Sequence, residues 1–441
     1  MATGELGRRV GGNAGEPVRR QARASPLPRS EEGCLTVVIG AGAAGIAAAR
    51  TLHDSGREVL LVEASDRLGG RARSLSLSEP GATVDLGCGW LHSARRNPWT
   101  RIAEASGFTV DRSSPNWDKQ WRDLAYPPEE QQAFGEASDR WQAAAKAAAH
   151  GPDRPLSDFV NPQDAVWRPL LDAISGYVNG APLARVSLHD WAAYEQAATD
   201  DNWTVREGYG TLVARHATGV PVQLGTNVSR VDHSGRRLRI ETSAGPIEAD
   251  HAVVAVPTPV LAAGKLAFDP PLPDKQAAAA DLPLGLADKV FLHVDGPKWP
   301  ANEHLTGNPH SASTASHRLS PFGWPLIESF FGGESAEALE EGDAAAFAID
   351  ELVALLGSDW RKRLRPLAVT RWRREPHIRG SYSHARIGRA GQRRVLAEPV
   401  DGRIFFAGEA CSVHDYSTAH GAYQTGVEAA RAILGDAAGL S

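Results

Sequence analysis

A chain of 441 residues with 42% hydrophobic and 23% charged residues is long enough to bury a core of two or three ordinary domains and reads as a soluble globular protein. Its formal net charge of −6 gives no basic footprint for nucleic acid or an acidic membrane surface, so the expected partner is a small molecule. The three cysteines, Cys34, Cys88 and Cys411, show no CxxC pair and no metal-type His/Cys spacing, which argues against a metal centre and fits a reduced, cytoplasmic setting.

In chain order, residues 1–33 carry six arginines among Gly, Pro and Ser without a hydrophobic stretch, and read as a disordered leader. Folding signals begin at CLTVVIGAGAAGIAAARTLHDSGREVLLVEASDRLGGRARS. The spacing predicts a strand over Leu35–Ile39, a glycine turn, an alanine-rich helix to about Ser55 and a second strand over Glu58–Val62, together a βαβ unit. Between Trp99 and Trp203 the stretches SDRWQAAAKAAAH and LHDWAAYEQAA are helical in pattern. Short strands return from Val222 to Val256. The segment from Leu266 to Arg374 combines a strand at DKVFLHV, an aromatic run at WPLIESFFGG and a helix at AAAFAIDELVALLG. The last part of the chain, FFAGEACSVHDYSTAHGAYQTGVEAA, is strand, loop and helix. The most apolar stretch, HAVVAVPTPVLAAG, is shorter than the roughly 18 residues a spanning helix needs and is broken by Pro257 and Pro259, so no membrane association is expected.

This order predicts an α/β fold in which a dinucleotide-binding, Rossmann-like domain (34–98, 203–265 and 376–436), identified below as an FAD domain from its motifs, is interleaved with a mixed α+β substrate domain (99–202 and 266–375). In GAGAAG, Gly40 allows the tight turn, Gly42 lets the backbone approach a pyrophosphate, and Gly45 permits close helix–sheet packing. Glu63 ends the next strand, 23 residues beyond Gly40, where a carboxylate can accept from ribose hydroxyls. Gly70 and Arg71 follow shortly after, as a second phosphate-facing loop that an FAD site needs and a simple NAD site does not. Glu409, after a late strand, would take ribityl hydroxyls, and the helix beginning near Thr418 would aim its amides at the flavin.

Together VVIGAGAAG, EASDRLGGRARS, VDLGCGWLH, TVREGYGTLV, VAVPTPVL, DKVFLHV, TRWRREPHIRGSYSHA and FFAGEACSVHDYSTAHGAYQTG resemble the flavin-containing amine oxidases over nearly all of the chain from Cys34 to Ile433. The late blocks are most similar to the polyamine oxidase and lysine-specific histone demethylase branch of the monoamine oxidase superfamily. The resemblance implies FAD as cofactor, with Glu63 on the adenosine ribose, Arg71 at the pyrophosphate, and Val228 against adenine through its backbone. It further implies that Gly89, Trp90 and Trp372 line the flavin, that Glu409, Thr418 and Ala419 complete the site, and that Lys289 is the catalytic cation holding a water at the reactive nitrogen. Tyr382 and Thr418 would border the substrate, and His92 and Trp203 are further candidates for its cavity.

Departures from the pattern carry their own implications. Ser381 replaces the cysteine that attaches flavin covalently in monoamine oxidases, so non-covalent FAD is expected. Thr418 replaces one tyrosine of the monoamine oxidase substrate sandwich, and Ser65 stands where an arginine is usual. The long helical insertion of the demethylases has no room here. His414 and Asp415 lie in the expected flavin loop without a nucleophile elbow, and His377 and His384 read as solvated or structural. The activity implied is oxidation of an amine C–N bond to an imine, with oxygen as electron acceptor. Alternatives on the same fold are a dehydrogenase with another acceptor, a desaturase or an amino-acid oxidase; a reading of another class is a flavin-binding module without turnover. An amino-acid oxidase would require a cation for the substrate carboxylate, and no arginine singles itself out for it in the sequence. Glu207 and Glu328 are candidate pocket carboxylates compatible with a polyamine.

Overall fold

The computed structural model describes residues 34–435; the expected leader, 1–33, lies outside them. Five parallel strands form the central sheet in the order Ile404–Phe406, His251–Val254, Leu35–Ile39, Glu58–Val62 and Val222–Gln223. Apart from the short edge strand Val222–Gln223, these runs rich in β-branched and aliphatic residues are largely buried on both faces, as a parallel sheet requires. Alternation divides them. Val38, Leu61 and Val253 face the helices Ala43–Asp54 and Ala419–Leu434, while Val37, Ile39, Leu60, Val62 and Val254 face Val231, Leu238 and Ile240 of a four-stranded sheet.

The two helices approach unusually closely because small residues meet there. A Cβ on Gly426 would stand 2.1 Å from the Ala44 carbonyl oxygen, so any larger residue would force the helices apart and open the layer that carries the glycine turn. The turn itself follows the sequence expectation: Gly40 adopts φ +102°, donates to the Val62 carbonyl at 2.8 Å and leads through Gly42 into the helix Ala43–Asp54.

A second, antiparallel sheet runs in the order Glu303–Thr306, Ser316–Leu319, Leu326–Gly332, Ala287–Val294 and Leu364–Val369. One face packs Leu305, Leu319, Ile327, Phe331, Val290 and Leu292 with the helix Ala344–Leu356. Its other face looks into a cavity. The helices Pro128–Ala148, Arg168–Asn179 and Leu188–Ala197 supply further parts of that cavity's wall. The hairpin Ser74–Leu77 with Ala82–Asp85 has four-residue strands that are too short to show a period in the sequence, yet it delivers the Leu86–Trp90 segment to the cavity.

Candidate active site

One cavity of about 740 Å³ joins the glycine turn to the antiparallel sheet. At one end, Glu63 is buried and its carboxylate is fixed: Oε2 accepts from the Ala41 amide at 2.7 Å, and Oε1 accepts from the Ser65 amide and hydroxyl, both at 2.8 Å. Ser65, where the family pattern has arginine, therefore orients the carboxylate. The Gly69–Gly70 loop lies directly on the turn, with the Gly69 amide donating to the Ala41 carbonyl at 2.8 Å. Arg67, which sequence reasoning passed over, lines the cavity and donates to the Gly70 carbonyl at 2.8 Å.

Further along, Glu409 is buried and accepts from Arg71 Nη1 at 2.8 Å, the Ser383 hydroxyl at 2.6 Å and the Ser417 amide at 2.9 Å. Burial would raise its pKa, but the Arg71 and Arg393 charges and these donors hold it below the ordinary carboxylate value. Arg71 also donates to the Ser381 carbonyl at 2.7 Å, so the residues expected at pyrophosphate and ribityl chain are paired with each other. Gly42 and Gly408 line the cavity, and a Cβ on either would meet no atom within 4 Å, so both leave room at the wall. A groove with carboxylates at two positions, cations between them and a helix N-terminus beyond has the donor and acceptor set that FAD's ribose, pyrophosphate and ribityl groups require. The residues present fit the cofactor.

Gly89, Trp90, Trp372, Val228 and Ala419 all line this cavity, as do Gly40, Gly42, Glu63, Gly70, Arg71, Glu409 and Thr418. Trp372 is buried and anchored by its indole N–H on the Leu86 carbonyl at 3.2 Å. Gly45 stands behind the wall, where a Cβ would lie 1.8 Å from the Gly40 carbonyl oxygen; it serves packing, as its place in the motif implies. Lys289 is buried on the cavity wall, donating to the Asp85 carbonyl at 2.9 Å and ion-paired with Glu328, whose Oε1 lies 2.8 Å from its Nζ. The ammonium has three donors, so donor capacity remains beyond the Asp85 carbonyl for a water or bound group. The Asp85 carboxylate is occupied elsewhere, accepting from the Ser74 hydroxyl and the Tyr209 and Gly210 amides.

Several expectations for the substrate side need correction. Trp203 is not on the cavity wall: it exchanges backbone hydrogen bonds with Leu91, packs against the core under the parallel sheet, and carries the Arg112 guanidinium 4.9 Å from its ring centre. Glu207 is likewise outside; its carboxylate caps the Thr109 amide and hydroxyl, both at 2.8 Å. Thr418 lines the cavity, but its hydroxyl caps the helix Ala419–Leu434, accepting from the Gly421 amide at 2.9 Å and donating to the Asp415 carbonyl at 2.6 Å. Tyr382 borders the cavity with its hydroxyl on the Tyr177 carbonyl. His92 is there too, 2.6 Å from Asn202 Oδ1, and burial pulls its pKa down to about 4, so it faces the cavity uncharged. Asp415 is taken up by Arg96 and His420. Among the described residues no cluster of His, Cys, Asp and Glu is arranged to hold a metal, and no helix is long and apolar enough to cross a membrane.

Comparison with known proteins agrees with this geometry. The model of the family described as flavin containing amine oxidoreductase matches residues 43–434. The chain is 30% identical over 437 residues to polyamine oxidase 2 of Arabidopsis thaliana, covering 89% of this chain and 86% of that protein. It is 27% identical over 449 residues to lysine-specific histone demethylase 2 of Homo sapiens, covering 92% of this chain but 54% of that protein. The solved structure of wild-type putrescine oxidase bound to putrescine superimposes with a TM-score of 0.73 at 21% identity, covering 92% of this chain and 99% of that one, a likeness of fold.

Proposed function

The chain belongs to the flavin-containing amine oxidoreductase family and is an FAD-dependent amine oxidase, and we propose that it holds FAD non-covalently and uses oxygen as its electron acceptor. The observation that carries the proposal is the single cavity in which the FAD-fitting groove and the Lys289 cation share one wall. In this reading Glu63 takes the adenosine ribose, Arg71 the pyrophosphate, Glu409 the ribityl chain, and Gly89, Trp90 and Trp372 border the ring. Segments 34–98, 203–265 and 376–436 form the cofactor domain, with 99–202 and 266–375 serving the substrate. When bound, FAD supplies the redox chemistry, taking a hydride equivalent from the amine-bearing carbon and passing the electrons to oxygen, while the imine hydrolyses to a carbonyl compound and ammonia or a smaller amine.

The protein's own part is orientation, exclusion of water and electrostatics. The aromatic side chains Tyr177, Tyr382, Phe330 and Trp90 border the cavity and keep it poor in water, which favours the neutral, reactive form of an amine. Lys289 offers a fixed positive charge where negative charge accumulates on reduction. Asp118 and Asp139, exposed residues that also line the cavity, favour the approach of a cationic amine. Polyamines and putrescine, named for the relatives, head the first substrate panel, and a cytoplasmic setting is proposed on cysteine usage alone. The test is anaerobic: purified yellow protein should bleach with at least one amine and recover, with peroxide release, when air is admitted. Protein that stays yellow across a broad amine panel would instead support a binding module.

A further inference from the structure

Alternation along the antiparallel sheet turns His304 and Thr306, Ser316 and Arg318, and Glu328 and Phe330 toward the cavity. Arg318 stands opposite His304 on one neighbouring strand and opposite Glu328 on the other. Of the wall's charged side chains, Glu328 and Lys289 satisfy each other at 2.8 Å. Arg318 has no such partner: among the described residues, no carboxylate oxygen lies within 4.0 Å of its guanidinium nitrogens.

Its hydrogen bonding is also incomplete. Nη2 donates to Asn302 Oδ1 at 2.8 Å, Nε is buried without an acceptor, and Nη1 has no hydrogen-bond partner among the described residues. The neighbouring His304 Nδ1 is buried and unpartnered as well. Yet the guanidinium is firmly seated. It lies 4.7 Å from the Trp90 ring centre and 5.3 Å from that of Phe322, and Asn302 holds the seat together by accepting from Arg318 and, at 3.1 Å, from the Phe322 amide. Burial pushes its pKa below the usual arginine value, with Glu328, Asp111 and Asp85 opposing this only through space. A guanidinium withdrawn from water, placed by aromatic faces and left with open donors is arranged for an anion that arrives with the ligand.

We propose that Arg318 binds a carboxylate of the substrate, so that the amine oxidised here also carries a carboxylate group. The inference rests on the amine-oxidase reading and narrows its substrate class. One uncompensated positive charge calls for a singly charged partner, and the planar guanidinium edge matches a carboxylate's two oxygens. A bare polyamine would bring a second cation against the guanidinium. The relatives' names would therefore mislead about the substrate, because the fold is shared while the charge inside the cavity is a property of this wall.

Matched pairs test this on the FAD-loaded enzyme: phenylalanine against 2-phenylethylamine, lysine against cadaverine, 4-aminobutyrate against propylamine and 6-aminohexanoate against pentylamine. The readout is the second-order rate of anaerobic flavin bleaching. In the wild-type enzyme at least one acid should outpace its decarboxylated partner by about tenfold or more, and Arg318→Gln should collapse that ratio by roughly 10- to 100-fold. Arg318→Lys, which keeps the charge and loses the fork, should retain part of it. Faster bleaching by every decarboxylated partner in the wild type overturns the proposal without needing a variant. Equal slowing of both members of each pair by Arg318→Gln also overturns it, since that is what a guanidinium merely packed on Trp90 would give. If amines bleach the flavin without preference for acids, this inference alone falls; if nothing bleaches it, the amine-oxidase reading falls too.

Discussion

The Lys289 ammonium lies 2.8 Å from the carboxylate of Glu328 on the adjacent strand, so the cation proposed to serve the flavin is one half of an ion pair. The Glu328 side chain is only 14% exposed, and removing the lysine leaves that carboxylate without its partner. Lys289→Met is expected to retain FAD but lose about 1–3 kcal/mol of stability, and adding Glu328→Gln should recover most of that loss. Both variants should show flavin reoxidation by oxygen slowed at least roughly tenfold, because neither has the fixed charge. Stopped-flow mixing of photoreduced enzyme with aerated buffer measures this directly. An unchanged reoxidation rate would make Lys289 a structural strand residue and favour another electron acceptor.

Glu63 has a structural task besides the ribose contact proposed for it. Its carboxylate joins the glycine turn at Ala41 to the loop at Ser65, so Glu63→Ala should disturb the cofactor groove as well as remove an acceptor. Charge-assisted hydrogen bonds of this type are worth about 1.5–3 kcal/mol, which predicts FAD affinity lower by roughly one to two orders of magnitude. Equilibrium dialysis of the refilled apoprotein gives the number. Full FAD retention after dilution would contradict the assignment of the groove.

The cofactor half of the molecule was legible because its residues act through local pattern. Gly40, Gly42 and Glu63 are fixed by a turn and two strands close in sequence, and Glu409 sits beside a strand whose partner is the His251–Val254 strand of the same sheet. The substrate half was much less so. Residue type alone makes Trp203 and Glu207 candidates for the cavity, whereas their true neighbours, Leu91 and Thr109, lie roughly a hundred residues away in the chain. Arg318 was invisible for the same reason. It is one of many arginines in the sequence, and only the register of three strands shows it facing the cavity, where no carboxylate among the described residues comes within 4.0 Å of its guanidinium nitrogens.

Ser381 bears on how the flavin is held. Its hydroxyl donates to the Ala287 carbonyl at 2.7 Å and accepts from the Ala287 amide at 2.8 Å, so it serves as a clasp on the Lys289 strand and lacks a thiol for thioether formation. Acid precipitation of the holoenzyme should therefore release the yellow chromophore into the supernatant. Flavin retained in a washed pellet would disprove non-covalent binding. Ser381→Ala should leave this result unchanged while lowering the melting temperature.

The buried carboxyls of Asp288 and Glu340 predict a dependence of stability on pH. Asp288 Oδ1 accepts from the Thr370 hydroxyl at 2.6 Å and the Trp372 amide at 3.2 Å, while Asp288 Oδ2 and Glu340 Oε2 are both buried with no donor. Burial, reinforced by the Glu340 charge, pushes the Asp288 pKa up from 3.8 to about 7, so the folded state keeps a proton that the unfolded chain releases. Stability is then lost as pH rises from about 4 to about 7 and changes little from this source above that range. Asp288→Asn imitates the protonated acid: its oxygen can still accept from Thr370 and Trp372, and its N–H can serve Glu340. It should match the wild type near pH 5 and exceed it at pH 8, by on the order of 2–4 kcal/mol if Asp288 titrates alone. Melting temperatures across this range decide the matter, and a variant less stable than wild type at pH 8 would show that Asp288 is needed as the ionised form.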